Sequence, residues 1–420
     1  MTPIRTAFLH MAALLACSAA WAQGPSSAAA ATGPVLRPDT TGRFIPFVAP
    51  LGEASRPPKL QFEVRTPPGS PQPAARSFAV TMDTGSTGVV ISAADLPGYS
   101  DDEAGPAGWE FLSSSKRLWV GRWVVRDLVF RAAEGEVVSR VPVLAVQKEM
   151  ICPCWDEKAN QPVCEQPTKT MVRPKGIVYM GVGFGREHDG QPQGTPDKNP
   201  LLNLVAIDGR PVREGEVHAG YIVTKSGVHA GLTPANAAGF GATRLQPGSL
   251  LVNGQPASSD PRDWQQASMA VSVAGRAPEA GSVLVDTGIA QMYLTVSDPA
   301  SLPTQQIPNP SRPGHTSNGL KEGTPVQVLF PDAQAPVARY AFNAGGAGAP
   351  RAVLVNRPPS GAAGSACAAG STVARGAPAS FGRPAFVNTG MNLLQQYDVL
   401  FDAEGGWFGL RPLQRSSSTR

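Results

Sequence analysis

The tripeptide Asp-Thr-Gly occurs twice, at Asp83-Thr84-Gly85 and at Asp286-Thr287-Gly288, and each copy closes a run of β-forming residues. The first follows Phe78-Ala79-Val80-Thr81-Met82 and leads into Gly88-Val89-Val90-Ile91; the second follows Ser282-Val283-Leu284-Val285 and leads into Met292-Tyr293-Leu294. Strand, tight turn and strand therefore recur in the two halves of the chain. One copy alone would read as a good turn, since Asp bonds its own backbone and Gly accepts positive φ. Ordinary residue frequencies give about 0.1 such tripeptides in a chain of this length, so two copies in matching contexts point to a shared structural role.

Two carboxylates on like turns predict a two-fold arrangement in which the acids face each other and share one proton. Like charges a few ångströms apart cannot both ionise cheaply. One group is then the base and the other the acid, and the pair polarises a trapped water for attack on a carbonyl. The titration belongs to the pair, not to either residue.

With these turns the chain resembles the pepsin-like aspartic proteases, whose two lobes each present Asp-Thr-Gly at the floor of a long cleft. Gly390-Met391-Asn392-Leu393-Leu394-Gln395-Gln396-Tyr397-Asp398-Val399-Leu400-Phe401-Asp402, with Phe408-Gly409-Leu410, is similar to the family's closing stretch. Gly176-Ile177-Val178-Tyr179-Met180-Gly181-Val182-Gly183 is similar to the glycine-ended strand of the other lobe. The resemblance spans residues 55–412. It implies an all-β, bilobal fold of two pseudo-two-fold related lobes with a central cleft: an N-terminal lobe over 45–235 with Asp83 and a C-terminal lobe over 236–413 with Asp286. It also implies an aspartic-type endopeptidase that hydrolyses peptide bonds through a water held between Asp83 and Asp286. Such a protein acts on a peptide or protein substrate as a monomer, with no cofactor and no metal. Thr84 and Thr287 would brace the turns by mutual hydrogen bonds, Gly85 and Gly288 permit the tight backbone, and Ser86 donates to Asp83.

Several positions depart from the family's pattern. A Ser or Thr follows each Asp-Thr-Gly in the family; Ser86 fits and Ile289 does not. Losing that donor should favour the protonated form of Asp286, which gives an asymmetric dyad with Asp83 the carboxylate and Asp286 the acid. Phe111 stands where the flap tyrosine is expected and Val90 where its tryptophan partner is expected. Phe111, Ser113 and Ser114 are then the expected flap contacts to substrate, with Ser113-Ser114-Ser115 a polar flap tip. Asn388-Thr389 replaces an apolar pair before Gly390, and buried polar groups of this kind need partners. These departures keep a second reading open, a pepsin-like binding or inhibitor protein in which hydrolysis is weak or lost.

Composition agrees with the fold class: 45 Gly and 42 Pro in 420 residues suit short strands joined by turns. One helical stretch is expected, over 199–207. A net charge of +4 without a basic patch gives no support for nucleic-acid binding. Arg outnumbers Lys and Ala and Gly are abundant, as in chains from GC-rich bacterial genomes. Arg5, an apolar run to Ala20 and then Ala20-Trp21-Ala22 read as a signal peptide over 1–22, so export to the periplasm or beyond is expected. Leu14-Leu15-Ala16-Cys17 offers a rival lipoprotein box, and membrane attachment would require Cys17 acylation. A flexible leader is expected over 23–44 and a disordered tail over 414–420. The Ala/Gly/Pro-rich stretch from Gly345 to Pro384 reads as a long exposed loop. Cys152, Cys154, Cys164 and Cys367 form an even set in an exported chain and predict disulfides, with one bridge inside the loop to Cys164. A zinc site from this cluster with His188 is the alternative; His218, His229 and His315 show no ligand repeat.

Overall fold

A chain punctuated by Gly and Pro, with its Val and Ile gathered into short runs, builds sheets, and among the described residues the only helices are 3-10 segments of six residues or fewer. The structure, a computed structural model, describes residues 33–52, 56–66, 75–113, 115–156, 159–184, 192–248, 251–252, 255–256, 260–310, 314–356 and 384–414. The expected signal segment, Cys17, residues 23–32 of the leader, Ser114, His188, Cys367, most of the stretch from Gly345 to Pro384, and tail residues 415–420 lie outside the described residues. No helix among the described residues is long and apolar enough to cross a membrane.

Asp83 and Asp286 belong to two different sheets that repeat one local plan. In the first, strand Ala75–Asp83 runs parallel to Val178–Val182, with Asp83 beside Gly181, and Val178–Val182 is antiparallel to the return strand Thr87–Ser92. In the second, Glu279–Leu284 runs parallel to Ala385–Asn388, which is antiparallel to the return strand Met292–Thr295. Each glycine-ended strand is thus inserted between the strand that enters Asp-Thr-Gly and the strand that leaves it. Strands flanked on both edges and covered on both faces need continuous apolar runs, not alternation. Thr87–Ser92 is buried at every position, whereas Lys59–Arg65 at the sheet's outer part alternates buried and exposed.

A third, six-stranded sheet joins distant parts of the chain in the order Arg43–Pro46, Gly227–Leu232, His218–Val223, Tyr397–Asp402, Trp407–Pro412 and Gly241–Arg244. The boundary expected at 235/236 falls between two of its strands. Residues 43 and 44, placed in the expected leader, pair here, and Thr41 N–H donates to the Glu216 carbonyl at 2.8 Å. Its aromatic face supports both other sheets. Phe401 contacts Tyr221, Phe184 and Phe408 with ring centroids 4.9, 5.5 and 5.7 Å apart, and Phe408 meets Phe330 at 6.2 Å. Tyr221 donates its hydroxyl to the Val182 carbonyl.

The helix expected over 199–207 is absent. Asn199 is buried and its side chain accepts from Leu201 N–H at 2.9 Å, a local bond that competes with helix formation. Leu204–Ile207 is a strand paired with Glu136–Ile151 and with Arg210–Pro211. Asp208-Gly209, at φ 50° and 75°, form the two-residue turn of that hairpin. An Asp-Gly pair with both residues at positive φ is the strongest short hairpin signal, and it outweighs the helical reading of the residues before it.

The long hairpin Arg117–Arg131/Glu136–Ile151 carries a distal arm of Ala107–Leu112, Arg117–Val120, Lys148–Ile151 and Lys169–Val172. Cys152 and Cys164 form a disulfide that ties the arm's connecting loop. The bridge contradicts a zinc site built on these thiols, since both sulfurs are consumed. Cys154 is also disulfide-bonded. Closing a loop with a sequence separation of 12 restricts the unfolded chain, so Cys152→Ser or Cys164→Ser should destabilise the protein by about 3 kcal/mol. A shift of the denaturation midpoint relative to the oxidised wild type, absent when both are reduced, checks this.

Candidate active site

The two Asp-Thr-Gly turns meet. Thr84 N–H donates to Thr287 Oγ1 at 3.0 Å, and Thr287 N–H donates to Thr84 Oγ1 at 3.0 Å. Thr84 Oγ1 donates to the Val285 carbonyl and Thr287 Oγ1 to the Met82 carbonyl, both at 2.6 Å. Each threonine accepts from the opposite turn and donates to the strand leading into it, so the network is reciprocal. Both are essentially inaccessible, at 1% and 0% exposure. Beneath them Thr84, Val285, Phe184, Leu245, Phe401 and Phe408 line one enclosed space, which joins the turns to the six-stranded sheet.

The same crossing sets the carboxylates over each other's turns. A Cβ built on Gly85 would lie 2.4 Å from Asp286 Cγ, and one on Gly288 would lie 2.6 Å from Asp83 Cγ. Only glycine leaves room for that approach. Asp83 and Asp286 are each 9% exposed, so both are largely desolvated yet reach the surface.

The donors on the two acids differ. Asp83 Oδ1 accepts from Gly85 N–H at 2.7 Å, and its Oδ2 accepts from Ser86 Oγ at 2.8 Å and Tyr179 Oη at 2.5 Å. Asp286 Oδ1 accepts from Gly288 N–H at 2.9 Å, and its Oδ2 from Asn388 Nδ2 at 2.7 Å. The expectation that Ile289 leaves the outer oxygen of Asp286 without a donor is therefore corrected. The Asn388 amide supplies from a neighbouring strand what the missing hydroxyl would supply from the turn. Ile289 is partly buried and its carbonyl accepts from Met391 N–H at 2.9 Å, tying the turn to the segment after Gly390. Thr389 is buried, and its N–H donates to the Leu284 carbonyl at 2.9 Å.

Tyr179 and Asn388 are the residues that reading the sequence missed as a pair. Each lies two positions before the glycine that ends an inserted strand, Gly181 and Gly390, and that common offset was the available signal. The registers agree: Asp83 is beside Gly181 and Leu284 beside Asn388, which places both donors two residues upstream of the level of their aspartates. Burial, followed by the charges of Asp83 and Glu110, pushes the Tyr179 phenol well above its ordinary range, so it stays a proton donor. Its ring meets Trp119 edge-on at 5.8 Å, and Trp119 Nε1 donates to Glu149, which pairs with Arg117.

The expected flap contacts separate. Phe111 is 4% exposed and stacked on Trp155 at 4.2 Å, within a cluster of Trp109, Leu118, Met150 and Cys152. Buried in this way, its ring faces the arm's own core. Ser113 is exposed in the turn between Ala107–Leu112 and Arg117–Arg131. Val90 is fully buried directly across from Tyr179, packed with Trp119, Trp123, Leu144 and Val146. An apolar Val at that position leaves Trp119, from the hairpin, to flank the tyrosine.

The remaining histidines are held elsewhere: His218 shares a 2.7 Å hydrogen bond with Asp402, and the His229 ring contacts Phe44 at 4.8 Å. His315 is exposed. Among the described residues no group of three His, Cys, Asp or Glu side chains could hold a metal ion.

No protein-family model matches the chain, and no curated protein matches it.

Removing either threonine hydroxyl orphans one buried N–H and one carbonyl. Thr84→Val and Thr287→Val should each destabilise the fold by about 1–3 kcal/mol. Because the bonds are reciprocal, the double variant should lose less than the sum of the single losses. Chemical denaturation of the four proteins in a double-mutant cycle measures this.

Proposed function

We propose that the chain is an aspartic-type endopeptidase of pepsin-like, two-lobed architecture, with Asp83 and Asp286 as its catalytic pair. The observation that carries this reading is the facing of two carboxylates across reciprocally bonded Asp-Thr-Gly turns. Two acids so placed in a largely desolvated site can share one proton between them, because ionising both is costly. The two sheets that carry them support the assignment of two lobes, and the six-stranded sheet would form their common base.

Asp83 collects three donors that favour its charged form, and Asp286 collects the Asn388 amide and a backbone N–H. The asymmetry favours Asp83 as base and Asp286 as acid. In the reaction, Asp83 takes a proton from a water held between the carboxyls, and the water oxygen bonds to the scissile carbonyl carbon. Asp286 gives its proton to the carbonyl oxygen, forming a neutral tetrahedral diol. Transfer of a proton from the now protonated Asp83 to the amide nitrogen and of a diol proton to Asp286 accompanies C–N cleavage. The products are a carboxylic acid and an amine, and the pair again holds one proton. The substrate is a peptide or protein segment, and export places the activity outside the cytoplasm.

Cleavage of a diverse peptide mixture from about pH 3 to 7 tests the reading, since a pair sharing one proton gives a bell-shaped rate profile. Asp83→Asn and Asp286→Asn should each abolish cleavage, and pepstatin should inhibit the wild type. No cleavage by folded, mature protein would favour the binding or inhibitor reading, which the positions Ile289, Val90 and Phe111 motivate.

A further inference from the structure

Both inserted strands carry a hydrogen-bond donor at one equivalent position, two residues before the closing glycine. Position 179 supplies a phenol to Asp83 Oδ2 and position 388 an amide to Asp286 Oδ2. Neither belongs to an Asp-Thr-Gly turn, and the two come from different sheets. The amide has a fixed orientation, because Asn388 Oδ1 accepts from Gly390 N–H at 3.0 Å and so leaves Nδ2 toward the aspartate. An NH2 group cannot accept, so a proton on Asp286 Oδ2 would face a donor. On Asp83 two hydroxyls already converge on Oδ2, and those of Ser86 and Tyr179 also touch each other. The oxygens left for a proton are the Oδ1 atoms, the ones nearer to the opposing turn: Asp286 Oδ1 lies 2.5 Å from the Cβ position of Gly85, and Asp83 Oδ1 lies 2.6 Å from that of Gly288.

We infer that Tyr179 and Asn388 are the paired positioning residues of the dyad, each holding an outer carboxylate oxygen as an acceptor, so that the shared proton is confined to the inner oxygens. The inference rests on the peptidase reading for its consequence in catalysis but not for the proton placement itself. The two donors act on different steps. Tyr179 stabilises the charge on Asp83, so it governs where the pair takes up a second proton, the acidic limb of the rate profile. Asn388 stabilises the charge that Asp286 acquires when the shared proton leaves, so it governs the basic limb. The other charged groups around Tyr179 are Glu110 and, behind Trp119, Glu149 paired with Arg117. Across from Asn388 stands Tyr293 on the return strand.

The experiment compares kcat/KM against pH for wild type, Tyr179→Phe, Asn388→Leu and Asn388→Asp. It is paired with an NMR titration of selectively 13C-labelled aspartate carboxyls in the same full-length proteins. Losing a hydrogen bond to a charged group should move a titration by on the order of one pH unit. Tyr179→Phe should move the acidic limb upward and leave the basic limb in place. Asn388→Leu should move the basic limb upward and leave the acidic limb in place. If the leucine variant fails to fold, the isosteric Asn388→Asp should move the basic limb in the same direction, since an added carboxylate repels the charge on Asp286. Lower activity with neither limb moved would overturn the inference and leave both residues structural. If the wild type cleaves nothing, the carboxyl titration alone decides. Steps displaced as stated sustain the inference while the peptidase reading fails, and unmoved steps overturn it.

Discussion

Four hydrogen bonds between Thr84 and Thr287 and the strands beneath them determine the rest of the site. Each N–H and each hydroxyl of the pair is buried, and a buried polar group left unpaired is costly. Their partners lie on the opposite turn and on the strand that leads into it, so each turn satisfies the other. That mutual satisfaction fixes the separation of the two sheets at this point to within the tolerance of a hydrogen bond. Gly85 and Gly288 follow as a requirement, since any side chain there would occupy the space of the opposing carboxylate. The support is apolar: Phe401 and Phe408 of the six-stranded sheet line the same enclosed space as Thr84 and Val285.

Crossing the turns creates an electrostatic problem that the surrounding strands resolve. Two carboxylates held together in a largely desolvated place repel when both are charged. The first sheet answers with a serine in the turn and a tyrosine on the inserted strand, and the second with an asparagine on its own inserted strand. The resulting asymmetry is one of kind: two hydroxyls converge on the outer oxygen of Asp83, and an amide is directed at that of Asp286. Trp119 and Val90 pack about the tyrosine, so the hairpin Arg117–Arg131/Glu136–Ile151 reaches the donor to Asp83 through a ring contact.

How much of this was legible in the sequence depends on how local each signal is. The paired Asp-Thr-Gly turns, the strands around them and the glycine-ended segments at Gly181 and Gly390 are contiguous patterns, and they sufficed for an all-β chain with facing acids. The bridge to Cys164 was likewise indicated by proximity within one loop, whereas its choice of Cys152 over Cys154 was not. Asn388 was noted as a polar residue out of place, but its role was hidden. The donor that replaces the hydroxyl missing at Ile289 comes from a strand about a hundred residues away in sequence, brought near only by parallel pairing. Tyr179 was hidden for the same reason, inside a segment that reads as apolar. For Phe111, counting along a hairpin gives a position but not a face, and here the ring turns inward to Trp155. The segment 199–207 departs from a helix because Asp208-Gly209, directly after it, closes a hairpin with Arg210–Pro211.

Neutron diffraction from crystals of the mature protein, exchanged into deuterated solvent at the pH of maximal cleavage, tests the facing dyad most directly. The structure predicts one deuteron between the two carboxyls, bound to an inner oxygen, with deuterons from Ser86, Tyr179 and Asn388 directed at the outer ones. Two deuterons on the carboxyls, none, or one on an outer oxygen would contradict it.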